Sequence, residues 1–355
     1  MKNLKIAVLP GDGIGPEVME QSLKVLELIR QKQKIEIIIE EGLIGAVAID
    51  QTGEPLPEET LHICKNSDAI LLGAVGHPKY DNDPRSKVRP EQGLLKIRKS
   101  LGLFANIRPI ATYEILNQAS PLKDHLVRNV DFVVYRELTG GIYFGEKGRK
   151  NDGKEAYDHC NYSVEEIERI AKMAFAAARK RRKKLTLVDK ANVLETSRLW
   201  RETVQNMAGD YKDIELEFMF VDAAAMRIIQ QPAAFDVVLT ENMFGDIITD
   251  EASVITGSIG MLPSASIGSD TALFEPIHGS FPEGAGQNIA NPFATILSMG
   301  MMLGHLGLHD AEQKVKDSVT KALEEGIVTP DINPTQNYST TQVGDWLTEY
   351  LSKTD

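Results

Sequence analysis

Two aspartates four residues apart, Asp246 and Asp250, are the residues of this sequence whose types and spacing most directly suggest chemistry. They lie in the stretch TENMFGDIITDEASVITG, directly after an apolar run at 235–239 that predicts a buried strand. With Asn242 as the expected N-cap, the stretch predicts a helix that carries both carboxylates on one face. Two hard oxygen ligands so placed suit Mg²⁺ or Mn²⁺. The spacing alone leaves open a solvated acidic pair near the positive end of the helix dipole.

Basic and hydroxyl side chains near the ends of other predicted elements could act on an acidic substrate. Lys190 and Asp222 follow two predicted strands, and Tyr143 comes soon after Arg136. Clustered arginines suit bidentate recognition of carboxylates, and the candidates are Arg98, Arg108 and Arg136. Each arginine alone is more typical of an ordinary surface ion pair, and neither Lys190 nor Tyr143 alone is specific for a catalytic site.

The composition is that of a soluble globular protein large enough for two domains, with 355 residues, 42% hydrophobic and 25% charged. Fifty-one acidic and 39 basic residues give a net charge of −12, which argues against nucleic acid as the main partner. Cys64 and Cys160 form no metal-binding or redox pattern, so we expect a reducing, cytoplasmic compartment. The apolar stretches at 4–9 and 293–308 are too short for a signal-peptide core and a membrane span, respectively, so no membrane partner is expected.

Strands and helices alternate along much of the chain, which predicts an α/β protein. The strand at 4–9 is followed by PGDGIGPE, in which Pro16 occupies the position of the third glycine of G-x-G-x-x-G. This excludes an ordinary Rossmann fold, and Pro16 instead suits the first turn of a helix. Further strands are expected at 34–40, 69–72, 132–137, 185–188, 215–221 and 235–239, and helices near the C-terminus at 293–308, 311–325 and 341–352.

Several local predictions concern the connections between these elements. Residues 140–145, GGIYFG, suggest a tight β segment, and the polar residues 146–162 suggest an arm. Ser163 is the expected N-cap of a helix that runs to Lys184. The basic run RKRRKK at its end resembles a nucleic-acid signal but better fits the cationic last turn of a solvated helix. A polar loop is expected at 77–93.

Six motifs taken together resemble the β-decarboxylating dehydrogenases of the isocitrate/isopropylmalate dehydrogenase family. They are PGDGIGPEV, GLLKIRKSLGLFANIRP, RELTGGIYFG, VDKANVLETSRLWRE, ENMFGDIITDEAS and EPIHGS, in family order from Ile6 to about Asp331. The resemblance implies a two-domain isopropylmalate/isocitrate dehydrogenase-like α/β fold that is not a Rossmann fold. In that fold, residues 1–103 plus 257–355 would form a cofactor-binding domain. Residues 104–256 would form the metal, substrate and dimerisation domain.

The activity that the resemblance implies is oxidative decarboxylation of 3-isopropylmalate to 4-methyl-2-oxopentanoate with reduction of NAD, in leucine biosynthesis. The alternative is a related enzyme acting on isocitrate, homoisocitrate, tartrate or D-malate. A catalytically silent regulatory subunit would be expected to have lost parts of the motif set, which this chain retains. Implied cofactors are NAD and Mg²⁺ or Mn²⁺, and the implied assembly is a homodimer with shared active sites.

The resemblance also implies a role for each matching residue. The metal would be held by Asp246, Asp250 and, from the neighbouring subunit, Asp222. Lys190, also from the neighbour, would accept the proton of the substrate hydroxyl, and Tyr143 would protonate the product enolate. Substrate contacts are implied for Arg98, Arg108, Arg136, Asp222, Glu91, Leu94, Leu95 and Val193, the last from the neighbour. Cofactor contacts are implied for Gly76, His77, Glu275, His278, Gly279, Ser280, Glu283, Gly286 and Asn291.

The chain departs from the family pattern mainly in one loop, where GSFPEGAGQN at 279–288 replaces the usual GSAPDIAGKG. Glu283 stands where an NAD-selecting aspartate is common, and Gly284 where isoleucine is common. An acidic side chain at 283 can accept hydrogen bonds from ribose hydroxyls and would repel a 2′-phosphate, so NAD⁺ is the expected cofactor. Ala223 also replaces a frequent asparagine.

Overall fold

The computed structural model describes residues 3–81, 88–335 and 338–354, so the expected polar loop at 77–93 lies partly outside the described residues. The chain forms two compact units. One consists of Met1–Leu103 with Ser258–Asp355, and the other is Phe104–Gly257. The second unit therefore ends one residue later than the sequence suggested. The functional roles assigned to the two units stay predictions.

The strands and helices follow the expected alternation. In chain order the strands are β1 (Asn3–Gly11), β2 (Glu36–Glu41), β3 (Ala69–Ala74), β4 (Ala105–Ala111), β5 (Asp131–Glu137), β6 (Lys147–Lys150), β7 (Glu155–Asp158), β8 (Lys184–Asp189), β9 (Glu215–Phe220), β10 (Val237–Thr240), β11 (Pro263–Ile267) and β12 (Ala272–Pro276). The helices are α1 (Gly15–Gln33), α2 (Ala46–Thr52), α3 (Glu58–Lys65), α4 (Pro78–Asp81), α5 (Glu91–Ser100), α6 (Asp124–Val127), α7 (Val164–Lys180), α8 (Glu195–Met207), α9 (Val221–Gln230), α10 (Asn242–Ser253), α11 (Phe293–His305), α12 (His309–Glu324) and α13 (Thr340–Lys353). Among the described residues, no helix is long and apolar enough to cross a membrane.

In its described residues, the unit formed by the two chain ends contains five strands in the order β2-β1-β3-β12-β11. Strands β2, β1, β3 and β12 are parallel, and β11 runs antiparallel to β12. Every residue of β3 is buried, as its continuous apolar sequence predicts for a parallel strand covered on both faces. Helix α11 is also buried along most of its length and belongs to this core. The expectation that 293–308 is a buried helix is therefore met by α11, which ends at His305.

The other unit contains five main strands in the order β4-β5-β10-β8-β9. Strands β5, β10, β8 and β9 are parallel, and only β4 within this group is antiparallel to its neighbour. Because parallel strands end at the same edge of a sheet, the residues that follow β5, β8 and β10 lie at one edge. This topology positions Arg136, Lys190 and Glu241, which stand at or just after the ends of these strands. The expected arm at 146–162 contains the two-stranded antiparallel sheet of β6 and β7.

One local prediction for this unit was wrong, and another was right only at its start. Residues 140–145 form no strand but a single 3₁₀ turn, Gly141–Tyr143. Ser163 does cap α7, with a reciprocal capping box to Glu166, but the helix ends at Lys180 rather than Lys184. Lys184 instead begins β8.

The basic run at the end of α7 is not a simply solvated helix end. Arg179 pairs with Asp213, and Arg181 donates from Nε to Asp236 at 2.8 Å and from Nη2 to Asp131 at 2.8 Å. Asp236 is almost fully buried, and it also accepts the Arg182 backbone N–H at 2.8 Å. The cationic side chains thus fix the end of α7 to the starts of β5 and β10, which leaves them poorly suited to a nucleic-acid signal.

Candidate active site

Asp246 and Asp250 lie one turn apart on α10, which follows β10 directly. Their side chains are 36% and 71% exposed, so both carboxylates can be reached from solvent. They are not a merely solvated pair, because each faces an arginine. Arg136 Nη1 makes a short ion pair with Asp246 Oδ1, and Arg108 Nη1 contacts Asp250 Oδ1 at 3.1 Å. The like charges of the acidic pair are therefore partly balanced within the chain.

The second oxygen of Asp246 contacts Tyr143, whose hydroxyl donates to Oδ2 at 2.9 Å. Tyr143 stands on the turn Gly141–Tyr143 after β5 and is 40% exposed. Partial burial, followed by the hydrogen bond to Asp246, raises the pKa of the Tyr143 phenol above its ordinary value. At neutral pH the phenol thus keeps its proton and can act as a donor.

Asn242 does not cap α10, which corrects the sequence-based prediction. The residue at the N-cap is Glu241, and Asn242 is the first helical residue. Its side-chain oxygen instead accepts from Nε and Nη2 of Arg136, at 3.0 and 2.9 Å. Gly245 lies beneath the same arginine, where a Cβ would come within 2.6 Å of Arg136 Cγ. Asn242 and Gly245 therefore position the guanidinium that faces Asp246, a role that sequence reasoning missed.

A buried acidic cluster underlies the turn that carries Tyr143. Glu137 is fully buried, and its carboxylate accepts from the backbone of Gly140 at 2.7 Å and from Arg169 Nη2 at 2.9 Å. Burial, with the nearby charge of Glu137, raises the pKa of Glu241 to about 7. Tyr162 accepts a hydrogen bond from the Asn242 backbone at 3.0 Å. The start of α10 thus contains a carboxyl group that is largely protonated below neutral pH.

Lys190 and Asp222 form a separate pair, with 2.9 Å between Lys190 Nζ and Asp222 Oδ2. The hydrogen bond from Lys190 holds the pKa of Asp222 below its usual value. In the described part of this chain neither residue is ion-paired or hydrogen-bonded to Asp246 or Asp250. Val193, in the loop after Lys190, is 61% exposed. Across residues 3–81, 88–335 and 338–354, no three His, Cys, Asp or Glu side chains converge as metal ligands would.

Arg98 belongs to the other unit, where it contacts Glu275 at 2.8 Å. Both side chains are largely buried, at 14% and 11% exposure, so this is a partly desolvated pair. On the same helix, α5, the two predicted leucines differ. Leu94 packs against the core cluster around Leu56 and Ile97, whereas Leu95 is 45% exposed. Glu91 is exposed as well.

Three loops of this unit meet around Gly76 and Ser280, two of the predicted cofactor residues. Ser280 Oγ donates to the Gly76 carbonyl at 2.6 Å, and the Ser280 carbonyl accepts from Ile14 N at 2.8 Å. The buried carboxylate of Asp12 accepts from the backbone N–H groups of Gly76, Ala46 and Val47, at 2.9, 2.8 and 2.9 Å. Asp12 was missed by sequence reasoning. The sequence does contain a signal, because Asp12 lies between two glycines in the PGDGIG loop. In the structure both glycines have positive φ, which lets the backbone turn tightly around Asp12.

The remaining predicted cofactor residues lie in or near the same loops. Burial lowers the pKa of His278, whose Nδ1 lies 2.9 Å from the Gly279 carbonyl. The Gly286 N–H donates to Glu17, and His77 Nδ1 accepts from Lys79 N at 3.1 Å. Asn291 makes two hydrogen bonds within the chain. Its Nδ2 donates to the Asp331 carboxylate, and its Oδ1 accepts from the Phe293 backbone N–H. Glu283 is exposed.

Comparison with known proteins gives a family match over most of the chain. Residues 5–347 match the family described as isocitrate/isopropylmalate dehydrogenase. The chain is 52% identical over 353 residues to a protein of Bacteroides fragilis, and 56% identical over 337 residues to one of Clostridium acetobutylicum. The matches cover 99% and 94% of both chains, respectively, and both relatives are named 3-isopropylmalate dehydrogenase.

Solved structures show the same architecture. Isocitrate dehydrogenase from Methylococcus capsulatus superimposes with a TM-score of 0.87 at 35% identity, covering 99% of this chain and 100% of the other. A β-decarboxylating dehydrogenase from Thermococcus kodakarensis gives 0.81 at 34% identity, covering 98% and 96%. The expected fold class is thereby confirmed. The chain belongs to the isocitrate/isopropylmalate dehydrogenase family.

Proposed function

We propose that this protein oxidises and decarboxylates 3-isopropylmalate to 4-methyl-2-oxopentanoate, with NAD⁺ as the electron acceptor and Mg²⁺ or Mn²⁺ as the metal. The name shared by relatives that are 52% and 56% identical over nearly the whole chain supports the substrate. The observation in the structure that carries the proposal is the convergence of Arg136 and Tyr143 on Asp246, with Asp250 one turn away. This arrangement combines a carboxylate-binding group, a proton donor and hard metal ligands.

The donor set fits a divalent cation. Asp246 and Asp250 present accessible carboxylates from one face of a helix, and Mg²⁺ is commonly held by one or two carboxylates together with substrate oxygens and water. Asp222 of a second copy of the chain would be the third ligand. When bound, the cation supplies polarisation of the substrate's C2 oxygen, first as hydroxyl and then as ketone.

The arginines bind the substrate carboxylates and fix the reacting geometry. Arg108 donates hydrogen bonds from Nε to Asn106 and from Nη1 to Thr249 and Asp250. In the part of the chain described, no partner reaches its Nη2, which is therefore available to a substrate carboxylate. Arg136 is held rigidly by Asn242, so little conformational freedom is lost when it binds an anion.

Two side chains move protons at different atoms. Lys190 would accept the proton of the substrate's C2 hydroxyl at the oxidation step. After CO₂ leaves, Tyr143 donates its phenolic proton to C3. Asp246 directs that hydroxyl by accepting its hydrogen bond. Arg98 and Leu95 are the further proposed substrate contacts, for a carboxylate and for the isopropyl group.

We propose NAD⁺ rather than NADP⁺ as the cofactor because of the acidic side chain in the loop at 279–288. The exposed Glu283 carboxylate can accept hydrogen bonds from ribose hydroxyls and would repel the 2′-phosphate of NADP⁺. The proposed assembly is a homodimer, and the proposed location is the cytoplasm. The homodimer is supported by the family resemblance and by the absence, in the described chain, of an ion pair or hydrogen bond from Lys190 or Asp222 to Asp246 or Asp250. The location is supported by the family resemblance alone.

A direct test measures NADH formation with 3-isopropylmalate, isocitrate and D-malate side by side, in the presence of Mg²⁺. We expect kcat/KM to be highest for 3-isopropylmalate and activity to fall by about 100-fold or more in Lys190→Met. NADP⁺ in place of NAD⁺ should support a much lower rate. A higher kcat/KM for isocitrate or D-malate would overturn the proposed substrate.

A further inference from the structure

The loop at 279–288 contains two coupled departures from the family pattern, Phe281 in place of alanine and Gly284 in place of isoleucine. In the structure the two positions touch. A Cβ built on Gly284 would overlap Cδ1 and Cε1 of the Phe281 ring. An isoleucine at 284 therefore cannot coexist with the ring where it lies. The aromatic side chain at 281 occupies the space that a side chain at 284 would need.

Phe281 is held in an unfavourable and exposed position. Its backbone is left-handed, with φ 38° and ψ 64°, a conformation that is sterically unfavourable for a bulky L-residue. The residue remains 48% exposed, so core packing does not account for this conformation. Strained non-glycine residues of this kind concentrate at ligand-binding sites.

The surrounding loop is firmly anchored. Gly284 N donates to the Phe281 carbonyl at 3.0 Å, and Gln287 N donates to the Gly284 carbonyl at 3.1 Å. At its start, Ser280 is bound to Gly76 and Ile14, and at its end the Asn288 side chain accepts from Thr341 N at 2.9 Å. The ring is thus presented from a fixed backbone and is not the tip of a loose loop.

An acidic side chain lies two residues from the ring. The Glu283 carboxylate is exposed, and within the described residues it forms no hydrogen bond or ion pair. The loop therefore presents an aromatic surface together with a hydrogen-bond acceptor. An adenosine has the complementary groups, a flat base that stacks on aromatic side chains and ribose hydroxyls that donate to a carboxylate.

We propose that the Phe281 ring stacks on the adenine of NAD⁺, replacing the aliphatic contact that a side chain at 284 would provide. The proposal rests on the proposed function, since that function supplies the ligand. It adds a residue that determines affinity for the adenosine half of the cofactor and explains why Gly284 accompanies Phe281.

Isothermal titration calorimetry of the whole protein with AMP and with NAD⁺ tests the proposal without requiring turnover. Phe281→Ala should weaken the binding of both by about 10-fold to 100-fold, the range expected for one base–aromatic stack. Phe281→Tyr keeps an aromatic ring and should bind both within about threefold of the unmodified protein. Ile39→Ala, which removes a similarly exposed apolar side chain from β2, is the matched control and should change neither affinity.

A second pair of variants tests the link between the two positions. Gly284→Ile alone should displace the ring and weaken AMP binding, whereas Phe281→Ala combined with Gly284→Ile should regain part of the affinity that Phe281→Ala loses. Failure of the double variant to regain affinity would contradict the exchange between 281 and 284. Unchanged AMP and NAD⁺ affinity in Phe281→Ala would overturn the stacking proposal while leaving the proposed function intact. If the unmodified protein bound neither AMP nor NAD⁺, the stacking and the proposed cofactor would both fail.

Discussion

Tyr143 donates a 2.9 Å hydrogen bond to Asp246, so the proposed proton donor is held by a carboxylate that is also a proposed metal ligand. Arg136 occupies the other oxygen of the same carboxylate. Asp246 therefore links substrate binding, proton delivery and metal binding in one residue. Changes at Asp246 should affect all three, whereas changes at Tyr143 or Lys190 should affect single steps.

The roles of Lys190 and Tyr143 can be separated in time. Lys190→Met should slow NADH formation in a single turnover by about 100-fold or more, because general-base assistance is lost at the oxidation step. Tyr143→Phe should leave the NADH burst closer to normal and slow the appearance of 4-methyl-2-oxopentanoate. Stopped-flow absorbance of NADH and quenched-flow analysis of the keto acid measure the two steps. A near-normal NADH burst in Lys190→Met would show that Lys190 is not the base.

Metal dependence should follow from the acidic pair on α10. EDTA should abolish turnover and added Mg²⁺ or Mn²⁺ should restore it, because two adjacent carboxylates need a cation to bind an anionic substrate. Asp246→Asn and Asp250→Asn should remove most activity and weaken Mn²⁺ binding measured by calorimetry. Asp270→Asn, an exposed aspartate remote in sequence from α10, is the matched control. Full turnover in metal-free buffer would contradict the prediction.

The two predicted leucines should behave differently, because Leu95 is 45% exposed whereas Leu94 packs against the core. Leu95→Ala should lower kcat/KM for 3-isopropylmalate more than for unsubstituted malate, by about 1–3 kcal/mol of discrimination. Leu94→Ala should instead lower the free energy of unfolding. Steady-state kinetics with both substrates and urea denaturation of both variants measure these effects. Equal losses for the two substrates in Leu95→Ala would show that it does not contact the isopropyl group.

The strands were largely predictable because buried parallel strands are continuous apolar runs, as in β3 and β10. The end of α7 was not predictable, because Lys184 could equally continue that helix or begin the strand β8, as it does in the structure. The charged partners of that segment lie 34 to 55 residues away, at Asp213 and Asp236. No local pattern reveals such pairs.

The candidate site was predictable from motifs but its supporting contacts were not. Asn242 has the sequence features of an N-cap, yet its amide binds Arg136, 106 residues earlier. Asp12 likewise joins backbone segments 34 and 64 residues away. These roles depend on which elements meet in space, and a single sequence specifies that only through the fold. The glycine at 284 is explained only by the structure, in which the ring of Phe281 fills the space that a side chain at 284 would need.

Glu241 should make stability depend on pH. Its pKa is about 7 when folded and 4.5 in the reference state, so folding favours the protonated form. This contribution is fully present below about pH 4.5 and is lost as pH rises through about 7. Glu241→Gln, which mimics the neutral carboxyl, should therefore be more stable than the unmodified protein at pH 8, by about 3 kcal/mol at most, with the gain shrinking toward pH 5. Urea denaturation across this range, with the exposed Glu215→Gln as control, measures the difference. A gain that does not vary with pH would contradict it.

Subunit mixing should show whether the site is shared. Lys190 pairs with Asp222, whereas Asp246 pairs with Arg136 and Tyr143, and in the described chain neither Lys190 nor Asp222 is ion-paired or hydrogen-bonded to Asp246. If Lys190 acts at the site of a second copy, Lys190→Met and Asp246→Asn damage complementary halves. A mixed dimer then contains one intact site and one doubly altered site. Equal mixing of the two inactive variants should restore about a quarter of the sites. Subunit exchange is verified by native mass spectrometry. Each variant taken alone through the same exchange procedure is the control. Exchange without recovered NADH formation would place Lys190 and Asp246 in the same chain's site.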